Sequence, residues 1–150
     1  MDQYITLFLD LPVWTKTTHD RILQLKGFFM THRIDYSKAA PEGYKAFGGV
    51  YATLQRSSLP KALIDLVYLR VSQINGCAYC IDMHSRDLLK TGLAVEKLVL
   101  VPVWRDAIEV FSSRERAALA WAETVTRVAE TGAPDSEYQA AADEYSDNEL

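Results

Sequence analysis

Leu63, Leu66, Val67, Val71 and Ile74 recur at the spacing that lines up on one side of a helix, and the run stops at Gly76. Ser58 followed by Leu59-Pro60 supplies N-cap and first-turn chemistry at the other end, so a helix is predicted over 59–75. Apolar spacing of three or four holds over most of the chain, and breakers are scarce, with 7 Gly and 5 Pro in 150 residues. The chain therefore reads as all-α. A second helix is expected from about Ala78 to Lys90, with Ile81, His84 and Leu88 on one face and Gly92 as a left-handed cap. Pro41 begins another that carries Tyr44, Phe47, Tyr51 and Leu54. Gly48 and Gly49 weaken it by about 1 kcal/mol each relative to alanine, and close packing is the plain reason for them. Ser112-Ser113-Arg114-Glu115 is a capping box that opens a long helix to about Glu130, with Gly132 and Pro134 behind it. Its expected core face is Ala118, Trp121, Ala122 and Val125. Val95–Val103 is assigned to a helix, although its β-branched content leaves a strand open.

Two segments stand apart. Residues 1–29 read as a separate N-terminal helical extension, in which Thr18-x-x-Arg21 leads into Ile22, Leu23, Leu25, Phe28 and Phe29. Residues 30–150 form the main domain. Near its end, Ser146-Asp147-Asn148-Glu149 is a second capping box that Leu150 cuts off, so the C-terminal helix is expected to be truncated. The charge balance, 16 Lys+Arg against 20 Asp+Glu with the bases scattered from Lys16 to Arg127, argues against a nucleic-acid partner. No apolar run reaches the ~18 residues of a membrane span, and no basic residue precedes Lys16 to make a secretory leader. The expectation is a soluble, cytoplasmic protein with no membrane partner.

Chemistry concentrates in Asn75-Gly76-Cys77-Ala78-Tyr79-Cys80-Ile81-Asp82-Met83-His84, which holds both cysteines of the chain. At about 100° per residue, Cys77, Cys80 and His84 fall within about 60° of arc on one helix face. The helix N-terminus favours thiolates at Cys77 and Cys80. His84, one turn beyond Cys80, is placed to take its proton or to hold the thiolate as an ion pair. Three readings fit this set: inert buried thiols beside a core histidine, a zinc site of Cys77, Cys80 and His84 with Asp65 as a fourth ligand, or dithiol redox chemistry. The last asks only for the pair and a base, and it is preferred. A thioredoxin-like setting would need a strand before the pair, and here a capped amphipathic helix precedes it. Asp82 and Arg86, an i,i+4 pair, and Trp104 and Trp121 are read as a solvated face and as core.

The segment Leu69–His84 resembles the AhpD-like alkylhydroperoxidases of the carboxymuconolactone decarboxylase superfamily. Asp35-Tyr36-Ser37-Lys38-Ala39-Ala40-Pro41, Val103-Trp104-Arg105 and Ser113–Glu123 are similar to the same family. The resemblance covers most of residues 30–150. It implies an all-helical domain, a homo-oligomer of three or six chains, and antioxidant reduction of hydroperoxides without cofactor or metal. It also implies roles: Cys80 as the peroxidatic thiol, Cys77 as the resolving thiol, His84 and a carboxylate at Asp65 as the proton relay, and an external thiol or dithiol as reductant. The helix end favours Cys77 and the adjacent histidine favours Cys80, and attack is assigned to Cys80. One position departs from the family pattern, because Asp65 stands where glutamate is usual. Its carboxylate, shorter by one methylene, needs a bridging water to His84 or does not reach it. The alternative within the resemblance is a small-molecule-binding or decarboxylase-type member. In decarboxylating relatives the cysteine pair is absent, so its presence argues against that branch.

Overall fold

The structure, a computed structural model, describes residues 34–150. The expected extension over 1–29 lies outside them, as do His19 and His32. By its contacts the chain divides into two units, Met1–Phe47 and Gly48–Leu150. Among the described residues every regular element is helical. In the first unit, α1 (Tyr36–Ala39) is capped by Asp35, whose carboxylate accepts the Ser37 amide at 3.1 Å. Pro41 then opens α2 (Pro41–Leu54), which begins in the first unit and ends in the second; its missing N–H is harmless because a first-turn amide has no intrahelical partner. Close packing does not explain Gly48 and Gly49, since a Cβ at either would meet no described atom within 4 Å.

The second unit is built around α3 (Lys61–Ile74). This helix starts two residues later than expected and Ser58 does not cap it. Pro60 takes the N-cap position with an extended ψ of 134°, and the residue before a proline is kept out of the helical region. Its end follows the pattern of the sequence. Gly76 turns left-handed at φ 64°, the Gly76 amide bonds the Gln73 carbonyl at 3.2 Å, and the Cys77 amide bonds that of Ser72 at 3.0 Å. This Schellman turn reverses the chain within two residues and delivers Cys77 as the N-cap of α4 (Ala78–Lys90), whose bounds match expectation. Gly92, at φ 89°, ends α4 in the same way.

Residues 95–103 are helical and not a strand, as α5 (Val95–Leu100) followed by a 3₁₀ turn over Val101–Val103. The tightening falls at Pro102, which has no amide to continue the α ladder. The capping box opens α6 (Ser113–Thr126), with the Ser112 amide on Glu115 Oε2 at 2.8 Å and the Glu115 amide on Ser112 Oγ at 3.2 Å. The helix does not run unbroken to Glu130. Arg127 leaves helical geometry after the β-branched run Thr124-Val125-Thr126, the Thr131 hydroxyl donates to the Thr124 carbonyl at 2.8 Å, and a separate α7 (Val128–Thr131) follows. Then comes α8 (Asp135–Ala142). At Ser146, both the amide and the hydroxyl donate to Glu149 Oε2, at 3.1 and 2.9 Å.

Helix α3 packs against α4 on one side and α6 on the other, and α8 lies on α6. The core joins Leu66 and Leu69 of α3, Leu88 of α4, Val101, Trp104, Phe111 and Leu119 of α6. Each such leucine contributes about 1.5–3 kcal/mol by burial. The buried side of α6 is Leu119, Ala122, Glu123 and Thr124, whereas Val125 is exposed. Glu123 is drawn inward by polar partners described below, which rotates the expected face. No described helix is long and apolar enough to cross a membrane.

Candidate functional site

The corner between α3 and α4 carries the two cysteines. Cys77 and Cys80 are joined as a disulfide with Cα atoms 5.4 Å apart. Both are partly exposed, and the Cys80 amide donates to Cys77 Sγ at 3.4 Å. Cys77 thus receives the first-turn N–H that a serine or aspartate receives at other helix starts. On reduction, the positive end of α4 favours a thiolate at either cysteine.

His84 lies one turn along α4 and is 92% buried by its relative exposure of 8%. Two residues of α3 fix its surroundings. The Tyr68 ring stacks on the imidazole with centroids 5.0 Å apart and planes 12° from parallel. Asp65, fully buried, faces it with Oδ1 at 3.6 Å from Nδ1. That separation exceeds the 2.7–3.2 Å of a direct hydrogen bond, and His84 Nδ1 is buried without a protein hydrogen-bond partner. The structure thus brings Asp65 to face His84 at 3.6 Å without a direct hydrogen bond between them.

The second oxygen of Asp65 is held by Lys61 Nζ at 2.5 Å, one turn earlier on α3. This bond to Asp65, against the opposing effect of desolvation, keeps the Lys61 ammonium above its ordinary 10.5. Burial, with help from the charges of Tyr51 and Asp65, pushes the Tyr68 hydroxyl above 10, so it stays protonated through the neutral range. Asp87, one turn beyond His84, completes a group with Asp65 and His84 whose ligand atoms all lie within 4.8 Å of one another. Neither cysteine joins that group. The zinc set of Cys77, Cys80 and His84 is not assembled in the disulfide, where neither sulfur is a thiolate. Asp82 and Arg86 pair at 2.9 Å on α4, and with the Asp82 side chain only 17% exposed the pair is half-buried and not the solvated face expected.

A buried carboxylate holds α3 in place beneath this site. Glu123 Oε1 accepts from Arg70 Nε at 2.6 Å and Trp104 Nε1 at 2.9 Å, and Oε2 accepts from Arg105 Nη2 at 2.9 Å. Burial alone would raise the Glu123 pKa, but these three donors hold it below 4.5. Sequence reasoning missed this network and also Lys61, Tyr68 and Asp87. The i,i+4 spacing of Lys61 to Asp65 and the i,i+3 spacing of His84 to Asp87 were the available signals.

The sequence profile of the carboxymuconolactone decarboxylase family matches residues 41–124. The uncharacterized protein YdfG of Bacillus subtilis (strain 168) is 32% identical over 120 residues, 80% of this chain and 81% of that one. The uncharacterized protein YnjA of Escherichia coli (strain K12) is 33% identical over 72 residues, 48% of this chain and 39% of its own length. A crystal structure of a protein of unknown function from Agrobacterium tumefaciens, a candidate AhpD of antioxidant defence, superposes with a TM-score of 0.72 at 42% identity. It covers 79% of this chain and 81% of its own.

Proposed function

Because the chain belongs to the carboxymuconolactone decarboxylase family, with an AhpD-like helical fold and a Cys77–Cys80 disulfide, we propose that it reduces hydroperoxides through a thiol–disulfide cycle of that pair. The carrying observation is the redox pair at the N-terminus of α4 with a buried histidine one turn beyond it. In the reduced enzyme the Cys80 thiolate attacks the terminal oxygen of R–O–O–H. The O–O bond breaks, Cys80 becomes a sulfenic acid, and the alkoxide leaves as an alcohol after taking a proton. His84 holds that proton and returns it, oriented by the Tyr68 ring and by the Asp65 charge 3.6 Å away. The Cys77 thiol then attacks the Cys80 sulfur, the disulfide forms, and the hydroxyl leaves as water. An external thiol or dithiol opens the disulfide by exchange and supplies two electrons and two protons.

Assembly into a homo-oligomer of three or six chains belongs to the same reading. Val95, Val99 and Val103, spaced four apart, are 57%, 63% and 49% exposed, an apolar stripe of the kind that a partner copy covers. Light scattering at micromolar concentration tests it, and a single-chain mass refutes it. A second function, binding of a small apolar molecule, is favoured by a groove of about 300 Å³ between α3 and α6, lined by Leu63, Ile64, Val67, Tyr68 and Trp121.

The test is hydroperoxide consumption by reduced protein with a dithiol present. Cys80→Ser abolishes turnover, and Cys77→Ser stops after one equivalent with a trappable sulfenic acid on Cys80. His84→Ala slows the reaction by about 10²–10⁴. Sustained turnover in Cys80→Ser overturns the assignment. Unaltered binding of an apolar ligand in that variant, with no peroxide consumed by the native chain, supports the second function instead.

A further inference from the structure

We propose that Asp65, His84 and Asp87 form a binding site for one divalent transition-metal cation of the zinc and cobalt type. The site uses no cysteine donor and shares Asp65 and His84 with the proton relay proposed above, and its test on the disulfide form reads metal uptake independently of the peroxidase reading.

Three ligand atoms, one from each residue, lie within 4.8 Å of one another, two on α4 and one across from it on α3. His84 and Asp87 are three residues apart on α4 and so share a face. The second observation is the imidazole itself. Its side chain is 90% buried by a relative exposure of 10%, and Nδ1 has no protein hydrogen-bond partner although it faces a carboxylate oxygen. A buried nitrogen left in this state loses about 1–3 kcal/mol unless a water or an ion satisfies it. The His84–Asp65 edge suits an ion, and Asp87, in a group whose atoms lie within 4.8 Å of one another, closes in on binding. Zinc–nitrogen and zinc–oxygen bonds of about 2.0–2.2 Å at a tetrahedral angle put neighbouring ligand atoms about 3.4 Å apart. His84 Nδ1 and Asp65 Oδ1 stand 3.6 Å apart, too far for a hydrogen bond and close to one edge of such a shell.

The charges fit a dication. Two carboxylates and one imidazole form a nitrogen–oxygen set suited to zinc, cobalt or manganese, with a fourth position left for water. In the structure two ammonium groups serve these carboxylates. Lys61 Nζ sits on Asp65 Oδ2 at 2.5 Å and Lys90 Nζ on Asp87 Oδ1 at 2.7 Å, and their side chains are 54% and 74% exposed. Both ammonium groups are more than half exposed, so each turns to water as a dication replaces its charge at the carboxylate. Lys61 competes with the metal for Asp65, whereas Asp87 supplies a ligand. These opposite roles make the assignment testable.

The experiment is calorimetric titration of Co²⁺ into the untagged full chain, kept in its disulfide form so that thiolates cannot bind, together with the cobalt absorption spectrum. The native protein takes up one equivalent with nitrogen–oxygen bands and no sulfur charge-transfer band. Asp87→Asn weakens affinity by about tenfold or more, and Lys61→Met strengthens it several-fold. Circular dichroism checks that both variants are folded. Absence of uptake by the native chain overturns the site. So does any pattern in which the two substitutions do not shift affinity in opposite directions.

Discussion

Replacing Glu123 by alanine is predicted to remove about a fifth or more of the stability of the domain. Its carboxylate is the common acceptor for Arg70, Trp104 and Arg105, at 2.6, 2.9 and 2.9 Å. The partners are not equal. The Arg70 and Glu123 side chains are only 13% and 10% exposed, and Trp104 is 5% exposed, whereas the Arg105 side chain is 59% exposed. Breaking a buried pair by removing one partner costs about 3–5 kcal/mol, because the other charge stays buried and unpaired. The orphaned Trp104 N–H falls within that range, while the exposed Arg105 bridge is worth about 0–1 kcal/mol. Against a typical total of about 5–15 kcal/mol, Glu123→Ala is therefore severe and Arg105→Ala nearly silent. With a urea m-value of about 2 kcal/mol/M, the first lowers the unfolding midpoint by about 2 M and the second by less than about 0.5 M. Equilibrium unfolding followed by tryptophan fluorescence and circular dichroism measures both. A Glu123→Ala loss below about 1 kcal/mol, or equal losses in the two variants, would show that this carboxylate does not fasten α3 to α6.

Three further outcomes follow from the same geometry. Asp65→Glu adds the methylene that the 3.6 Å gap to His84 lacks, and an added charge-assisted hydrogen bond of about 1.5–3 kcal/mol raises peroxide turnover by about tenfold or more. Its overpacking cost of about 1–3 kcal/mol appears in the unfolding midpoint, and unchanged or reduced turnover in a folded variant refutes the relay. Gly76→Ala meets no atom within 4 Å but must hold φ 64°, so it costs about 1–2 kcal/mol in denaturant unfolding, and a neutral effect would show that the turn is not strained by a side chain. Acid weakens the fold through Glu115 and Glu123: burial opposes ionisation of each, but hydrogen bonds from Lys97 and Ser112 to the one, and from Trp104 and Arg70 to the other, hold both below 4.5. A depressed folded pKa stabilises above the unfolded value and is lost as pH falls through the folded one, so the urea midpoint should drop below about pH 4.5. A midpoint flat from pH 5 to about pH 3 would contradict this.

What was legible in the sequence depended on how local its cause was. Helix α4 was bounded correctly because both of its ends are set by neighbours, Gly76 before Cys77 and Gly92 after Thr91. The capping box at Ser112 was equally local. The end of α6 was not, since it depends on a hydroxyl of Thr131 reaching back to the carbonyl of Thr124. At the start of α3 two local signals competed, and the extended ψ of Pro60 prevailed over the capping tendency of Ser58. The one-turn spacing of Cys80 and His84 along α4 could be counted from the sequence, whereas Cys77 is the N-cap, with extended backbone, and lies off the helix. The approach of Asp65 to His84 is set by how α3 crosses α4, and no count along the chain gives 3.6 Å. Arg70 and Glu123 lie 53 residues apart, so only the folded chain introduces them.

The central claim is that Cys77 and Cys80 pass electrons to a hydroperoxide. It is tested most directly by mixing fully reduced protein with one equivalent of cumene hydroperoxide, without reductant, and counting thiols and alcohol product by mass spectrometry. The account predicts the loss of both thiols, one Cys77–Cys80 disulfide and one alcohol for each hydroperoxide consumed. Persistence of both thiols beside unconsumed hydroperoxide would contradict it.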